Sequence, residues 1–307
     1  MKKPRLLITL GDVAGIGPEI VAKAWGAIRE RCEPMVVGDP RYLPREIAVI
    51  NPSQADLRDV IPGRVSAAAG RAAFDWLCFA IDECRAGRAD GIVTCPLNKE
   101  GLHAAGVPFP GHTEILAAMT NSPSHAMLLH DDRIPITVAH VTLHTSVRNA
   151  LDAISTESVL AKIWLLHHLV PRLIGQPAKI GVMALNPHAG DGGLFGDEES
   201  RLIAPAILRA RRDGIHAEGP IPADAAFLPA SRGRWNGLVA MLHDHGHIAI
   251  KLIGGRRAVN VTAGLPIVRT SVAHGTAYDI VGKGIADESS LIEALTVAVR
   301  LASNRNS

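Results

Sequence analysis

Short apolar segments alternate with amphipathic segments along most of the chain, and this alternation constrains the fold more than any other feature. Residues 5–10 are typical of a buried strand, and residues 11–18 hold three glycines that favour a tight turn. Pro18 suits the first position of the helix that follows, because its missing N–H would have no partner there anyway. The alternation predicts an α/β fold.

The same pattern continues to the end of the chain. Pro205 either kinks a helix over 197–213 or marks its true start. No linker, repeat or change of composition divides the 307 residues, so two domains would have to be interleaved. Further helices are predicted over 66–85, 99–105, 155–173 and 289–301, and further strands over 90–95, 136–141, 179–185 and 237–242.

Polar clusters directly follow three of the predicted strands, and each cluster contains a histidine: His144, His188 and His243. Ligands collect at the carboxyl ends of strands in open α/β sheets. Three imidazoles from three strand ends can therefore form a catalytic metal site with a position open for substrate. The alternative is that each of these histidines only caps a helix or faces solvent.

Three histidines occur at alternate positions in one segment, at His243, His245 and His247. In extended backbone they would share a face and could chelate one ion together. Gly246 indicates a turn instead, which favours His243 as a single ligand. Asp244 could then orient the imidazole of His243 as an outer partner.

Two groups of residues are candidates for anion binding. His112 and Thr113 open a predicted helix, whose N-terminus would attract phosphate, although Thr113 could simply cap that helix. Lys251, Asn260 and Arg269 lie in or beside strand-like segments and could together hold a phosphate and a carboxylate. The alternative is that the two cations are solvated surface charges.

Composition and missing motifs exclude several classes of protein. The net charge is +2 and aromatic residues make up 4%, so neither a basic field nor a stacking surface for nucleic acid is expected. No signal peptide or membrane span is indicated, and the four cysteines form no C-x-x-C pair, which predicts a cytoplasmic protein with reduced thiols. Dinucleotide-type G-x-G-x-x-G, P-loop and G-x-S-x-G motifs are also missing.

Six ordered motifs run through the chain: GDVAGIGPEI (11–20), CPLNKEGLHAAG (95–106), PGHTEILA (110–117), LNPHAGDGGLFGDEE (185–199), AMLHDHGHIAIKL (240–252) and VNVTAGLPIVRTSVAHGTA (259–277). Together they resemble the 4-hydroxythreonine-4-phosphate dehydrogenase (PdxA) family. The resemblance implies one unit over 1–307 made of two interleaved α/β/α subdomains, like isocitrate and isopropylmalate dehydrogenases, with the site in the interdomain cleft and at a homodimer interface. It also implies NAD and a divalent metal (zinc, cobalt, magnesium or manganese).

The family's functional residues match positions in this chain. Its metal ligands match His144, His188 and His243, and its substrate-binding residues match His112, Thr113, Lys251, Asn260 and Arg269. Residues 274–287, which include His274, resemble the adenine-binding loop of isocitrate and isopropylmalate dehydrogenases. Asp279 would accept a hydrogen bond from the adenosine ribose there, which favours NAD over NADP.

The implied reaction is oxidation of the secondary hydroxyl of a phosphorylated hydroxy acid, followed by loss of carbon dioxide from the keto acid. The substrate that the resemblance favours is 4-hydroxythreonine 4-phosphate, which is oxidised in pyridoxal phosphate biosynthesis. Other motifs resemble branches that act on threonate or erythronate 4-phosphate, or on a carboxylated aromatic dihydrodiol such as that from terephthalate. Three residues depart from the family pattern: Val13 replaces a proline, His245 a glutamine and Ala273 an aspartate.

The sequence leaves two points open, the identity of the general base and the class of function. Asp191, Asp244 and Lys251 are all candidates for the general base. Rival functions from other classes are a metal hydrolase or lyase that does not use NAD, and a protein that binds metal or phosphate without catalysis.

Overall fold

Strands and α-helices alternate in the computed structural model, which describes residues 3–228 and 233–304. This mixed α/β architecture confirms the fold expected from the sequence. The chain divides into two compact units: unit 1 comprises Met1–His125 and Val259–Ser307, and unit 2 comprises Ala126–Ala258.

The sheet of unit 1 has the strand order β3-β2-β1-β4-β11-β10. Its pairs are parallel except for β10 and β11, which run antiparallel. The strands are β1 (Arg5–Thr9), β2 (Glu33–Val37), β3 (Val49–Ile50), β4 (Gly91–Thr94), β10 (Val259–Ala263) and β11 (Val268–Val272). The helices are α1 (Gly17–Arg31), α2 (Ala67–Arg85), α3 (Lys99–Ala104), α4 (His112–Thr120) and α9 (Ser289–Ser303).

The sheet of unit 2 has the order β5-β6-β9-β7-β8, with β5 antiparallel to β6 and the other pairs parallel. Val138, Leu238 and Ile250 belong to its buried core. The strands are β5 (Ala126–Asp131), β6 (Ile136–His140), β7 (Ile180–Met183), β8 (Ala217–Ile221) and β9 (Gly237–Ala240). The helices are α5 (Val147–Ala153), α6 (Thr156–Ile174), α7 (Ala204–Arg212) and α8 (His243–Gly254).

Local signals set the ends of the helices. The hydroxyl of Ser66 accepts a hydrogen bond from the backbone N–H of Ala69 at the start of α2, and Ser155 makes a reciprocal capping box with Ser158 at the start of α6. Pro205 lies in the first turn of α7, after a single π-helical turn over Glu199–Ile203. The backbone is helical on both sides of this junction, so the π-helical turn leads directly into α7 and Pro205 lies within a continuous helical segment over 198–212. A local π-helical turn, rather than a new helix start, therefore accompanies the proline.

The segment that begins at His243 differs from its prediction. It is not a turn or extended backbone but the first turn of α8, and Lys251 lies in the same helix rather than in a strand-like segment. Gly246, Ile250 and Gly254 are buried at helical spacing along α8, and this periodicity outweighs the local turn signal of glycine. Among the described residues, no helix combines the length and apolar character needed to cross a bilayer.

Candidate active site

A pocket of about 570 Å³ lies in unit 2 where β6 and β9 end. His144 and His243 both line this pocket, and the centroids of their rings are 6.3 Å apart. Because β6 and β9 are neighbouring parallel strands, the loops at their carboxyl ends emerge side by side. The other lining residues are Thr142, Leu143, Thr145, Ser146, Val147, Ala150, Leu242 and Asp244.

The imidazole of His243 has close neighbours on two sides. Nδ1 of His243 lies 2.6 Å from a carboxylate oxygen of Asp244, so the carboxylate accepts its N–H. The ring of His247, one turn further along α8, stacks on His243 with centroids 3.8 Å apart and an angle of 12° between the planes. Burial lowers the pKa of His247 to about 4. The Asp244 contact leaves Nε2 of His243 as the nitrogen available to a ligand.

His188 lies in a loop after β7 whose backbone is left-handed over five consecutive residues, 188–192. The nearly buried carboxylate of Glu199 anchors the start of this loop, because it accepts hydrogen bonds from the backbone N–H groups of Leu185 and Asn186, at 2.8 and 2.7 Å. Burial raises the pKa of Glu199, but these hydrogen bonds outweigh it and hold the pKa below its usual value. This role of Glu199 was not predicted from the sequence.

The three histidines predicted to bind metal are therefore only partly brought together. His144 and His243 share a pocket, whereas His188 does not line it. Within residues 3–228 and 233–304, no group of three or more His, Cys, Asp or Glu side chains is arranged to hold a metal ion. The chemistry of the donors fits a divalent metal, since imidazole suits zinc and cobalt and the hydrogen bond from His243 to Asp244 is the outer contact typical of a metal-binding histidine.

Unit 1 contains a buried guanidinium, Arg269 on β11, which is 3% exposed. Arg269 donates hydrogen bonds to the hydroxyls of Thr94 and Thr262, at 2.7 and 3.0 Å. Its Nε is buried and has no hydrogen-bond partner in the described part of the chain. Burial lowers the pKa of Arg269 to about 10 and, together with the charge of Arg269, lowers the pKa of His112 well below its usual value. This arrangement suits an oxyanion ligand.

The other predicted substrate-binding residues occupy varied positions. Thr113 lies in the first turn of α4, but the N-cap is Gly111 and no side chain caps the helix, so Thr113 does not have the capping role considered as its alternative. The side chain of Asn260 on β10 donates to the backbone carbonyl of Val272, at 3.2 Å. Lys251 is exposed on α8 of unit 2, two turns beyond His243.

The first turn of the chain braces the loop that contains His274 and Asp279. The backbone N–H of Ile16 donates to the carbonyl of Thr276, at 3.1 Å, and the hydroxyl of Tyr278 donates to the carboxylate of Asp12. Asp279 itself is exposed. Nε2 of His274 is buried without a hydrogen-bond partner in the described residues. An exposed carboxylate on a braced loop fits a ribose hydroxyl. The contact between Asp12 and Tyr278 was not predicted from the sequence.

The three candidate bases lie in unit 2 in different surroundings. Asp191 belongs to the left-handed loop and is exposed, with φ of 43°. Asp244 accepts the hydrogen bond from His243, which occupies one of its oxygens. Lys251 is exposed. The hydrogen bond at Asp244 favours an orienting role for that residue.

The fold is α/β, polar side chains are grouped at strand ends, and a buried guanidinium has an Nε without a partner in the described residues. This combination is typical of an enzyme that acts on a small anionic molecule. The chain belongs to the PdxA family: the model for the pyridoxal phosphate biosynthetic protein PdxA matches residues 30–298. Its family membership, expected from the six motifs, is thereby confirmed.

Individual relatives match over nearly their whole length. The chain is 43% identical to the D-threonate 4-phosphate dehydrogenase of Cupriavidus necator, covering 98% of both chains. It is 44% identical to the 4-hydroxythreonine-4-phosphate dehydrogenase of Beijerinckia indica, covering 96% of this chain and 94% of that one. Among solved structures, the 4-hydroxythreonine-4-phosphate dehydrogenase of Klebsiella pneumoniae matches with a TM-score of 0.87 and 37% identity, over 98% of both chains.

Proposed function

We propose that this protein is an NAD-dependent and divalent-metal-dependent dehydrogenase that oxidises the secondary hydroxyl of a phosphorylated hydroxy acid and releases carbon dioxide. The first candidate substrate is 4-hydroxythreonine 4-phosphate, in the formation of pyridoxal phosphate. The observation that carries this proposal is full-length similarity to dehydrogenases of phosphorylated substrates, in a chain with a buried guanidinium suited to an oxyanion.

D-threonate 4-phosphate is the second candidate substrate. A relative with that name is 43% identical over 98% of both chains, nearly the same identity as the hydroxythreonine-phosphate relative. Both substrates carry a phosphate and an oxidisable hydroxyl, so the residues that hold the phosphate serve either one. Discrimination depends on C2, beside the carboxylate that both substrates share, which carries an amine in one and a hydroxyl in the other.

In the proposed mechanism, His144, His188 and His243 hold the metal, and Asp244 keeps the imidazole of His243 in the ligating tautomer through its 2.6 Å hydrogen bond. A metal there supplies Lewis acidity to the substrate hydroxyl, and NAD supplies the hydride acceptor. Asp191 or Lys251 accepts the proton of that hydroxyl.

The remaining residues of the proposed site bind and orient the substrate and NAD. Arg269 holds the phosphate, because its Nε lacks a partner in the described chain and its pKa of about 10 keeps it a cation at neutral pH. His112 stays neutral there and can offer the phosphate an N–H donor. Asp279 accepts a hydrogen bond from the ribose of NAD, and His274 lies in the same loop. Thr113, Lys251 and Asn260 complete the proposed substrate-binding set.

A second copy of the chain is proposed to complete the active site. His188 does not line the pocket of His144 and His243, and the ring of Phe195, in the same loop, lies 6.4 Å from that of His188. Large apolar side chains are exposed both beside this pocket and in the His188 loop, which is typical of a surface that another subunit covers. They are Val147 (67% exposed), Leu151 (48%), Leu194 (72%) and Phe195 (48%).

The proposed function is tested by following NADH formation with a panel of substrates: 4-hydroxythreonine 4-phosphate, D-threonate 4-phosphate, D-erythronate 4-phosphate and a carboxylated aromatic dihydrodiol. Each is assayed with zinc, cobalt, magnesium or manganese, and with NADP in place of NAD. We expect turnover of a phosphorylated substrate with NAD, and loss of both turnover and metal retention in His188→Ala. Turnover after complete metal removal, or a preference for NADP, would contradict the proposal.

A further inference from the structure

A buried pair of histidines, His140 and His247, lies next to the pocket and has no role in the mechanism proposed above. His140 ends β6 and is 1% exposed, and His247 lies on α8 and is 6% exposed. Nε2 of His140 lies 3.1 Å from Nδ1 of His247, so one ring donates a hydrogen bond and the other accepts it. His140 precedes His144 by four residues, and His247 follows His243 by four.

The pair is costly for the fold. Two polar rings are taken out of water, and Nδ1 of His140 has no hydrogen-bond partner in the described residues. Two apolar side chains of similar volume would fill the same space without leaving a buried polar atom unpaired. Gly246 also contributes to the arrangement, since a Cβ there would lie 2.4 Å from Nε2 of His140. Packing stability alone therefore does not account for the two imidazoles.

The pair acts on the orientation of His243. The hydrogen bond between His140 and His247 restricts rotation of the His247 ring. The face of that ring then lies against the ring of His243, 3.8 Å away and nearly parallel. Asp244 holds the edge of the same His243 ring through Nδ1. The stacked ring of His247 thus fixes the plane of the His243 ring. The carboxylate of Asp244 fixes the direction in which the Nδ1 edge of that ring points.

We propose that His247, oriented by His140, is a positioning residue that sets the ring plane of His243 for metal binding. This inference rests on the proposed assignment of His243 as a metal ligand. A ring that already has its binding orientation loses less conformational freedom when the metal binds, so the affinity is higher. Outer partners that hydrogen-bond to a metal-binding histidine typically change metal affinity about 10- to 100-fold, and a stacked ring that fixes the same imidazole should act in the same direction.

The test is a titration of the metal-free, full-length protein with Co²⁺, followed by the visible absorption of the bound ion. In His247→Ala we expect the Kd for Co²⁺ to rise about 10-fold or more. His140→Leu should raise it in the same direction by a smaller factor, since it removes only the restraint on His247. His168→Ala, which changes an exposed histidine on α6, serves as the matched control and should bind Co²⁺ like the unaltered protein.

A double variant separates positioning from folding. In His140→Leu/His247→Leu both partners of the hydrogen bond become apolar, so the Tm of the metal-free protein should not fall, while the Kd for Co²⁺ should rise as much as in His247→Ala. A double variant that binds Co²⁺ as tightly as the unaltered protein would overturn the inference and leave His243 as a ligand. If His243→Ala also bound as tightly, the proposed metal site itself would be wrong.

Discussion

The guanidinium of Arg269 is buried and its hydrogen-bond partners are neutral, although the charge of Glu114 favours its cationic form. Its hydrogen bonds go to two threonine hydroxyls, and its Nε has no partner in the described residues. A buried cation without a closely bound anion is unfavourable for folding, and it persists where a ligand supplies the missing charge. The surroundings of Arg269 therefore suit an oxyanion ligand.

Replacing this guanidinium should abolish stabilisation by phosphate. Inorganic phosphate at about 100 times its Kd should stabilise the unaltered protein by about 2.7 kcal/mol, seen as a higher Tm in thermal unfolding. Arg269→Met should show no such rise and, without phosphate, should be no less stable, because the buried charge is gone. Arg209→Met removes an exposed arginine that pairs with Glu157 and should keep the phosphate response. An unchanged phosphate response in Arg269→Met would contradict this prediction.

Single residues also show how far the sequence could predict the site. His144 and His243 were predicted as candidate ligands because each directly follows a strand. The structure places both in one pocket. The contact between His140 and His247 could not be predicted in the same way, because it depends on how closely α8 approaches β6. Glu199 was missed for a similar reason, since its anchoring role depends on hydrogen bonds to backbone N–H groups.

At the scale of elements, α8 packs against the strands of unit 2 through its small residues. Gly246 faces His140 and Val138 on β6, and Gly254 faces Asp131 on β5. A side chain at either glycine would hold the helix away from the sheet. Because His243 and His247 are both on α8, the distance between α8 and β6 controls the histidine pair.

A methyl group at position 246 should be strongly unfavourable. In Gly246→Ala the new Cβ would lie 2.4 Å from Nε2 of His140 and 2.7 Å from a methyl carbon of Val138. We expect the free energy of unfolding to fall by about 1–3 kcal/mol, measured by urea denaturation. Gly26→Ala on α1 is the matched control: it has open space around it and should stabilise the protein by about 0.5–1 kcal/mol. Equal stability of the two variants would show that α8 is not closely packed.

Elements with strong local signals were predicted within one or two residues of their observed ends. The ends of α2 and α6, for example, were located by a serine N-cap at the start and a glycine after the end. The N-caps are Ser66 in α2 and Ser155 in α6. The segment that begins α8 was wrongly predicted to be a turn, because glycine and polar histidines are typical of turns. The helix there is stabilised by burial of its spaced small and apolar residues, which becomes evident only after the sheet has formed.

At the scale of the whole molecule, the path of the chain explains why no composition break was found. The chain leaves unit 1 after residue 125 and returns to it at residue 259. On its return, β11 pairs in parallel with β4, so a late segment of the chain completes an early sheet. Both units need the same alternation of apolar strands and amphipathic helices, and their boundary therefore has no compositional signature.

The stability of the whole protein should fall as the pH is lowered from neutral. Burial lowers the pKa of His112 and His140 well below the usual value of 6.5, so both stay neutral in the folded state. In the unfolded chain they become protonated below about pH 6.5, and the unfolded state then binds more protons than the folded state. Lowering the pH from about 7.5 to about 5.5 therefore decreases the free energy of unfolding, with a limiting slope of about 1.4 kcal/mol per pH unit for each histidine.

Urea denaturation of the metal-free protein at a series of pH values measures this slope. His112→Gln removes one of the histidines whose pKa is lowered in the folded protein, so the slope of its stability against pH should decrease by up to the value for one proton. His168→Gln, at an exposed position on α6, is the matched control and should leave the slope unchanged. A free energy of unfolding that stays constant or rises as the pH is lowered through this range would mean that the buried histidines are protonated in the folded protein.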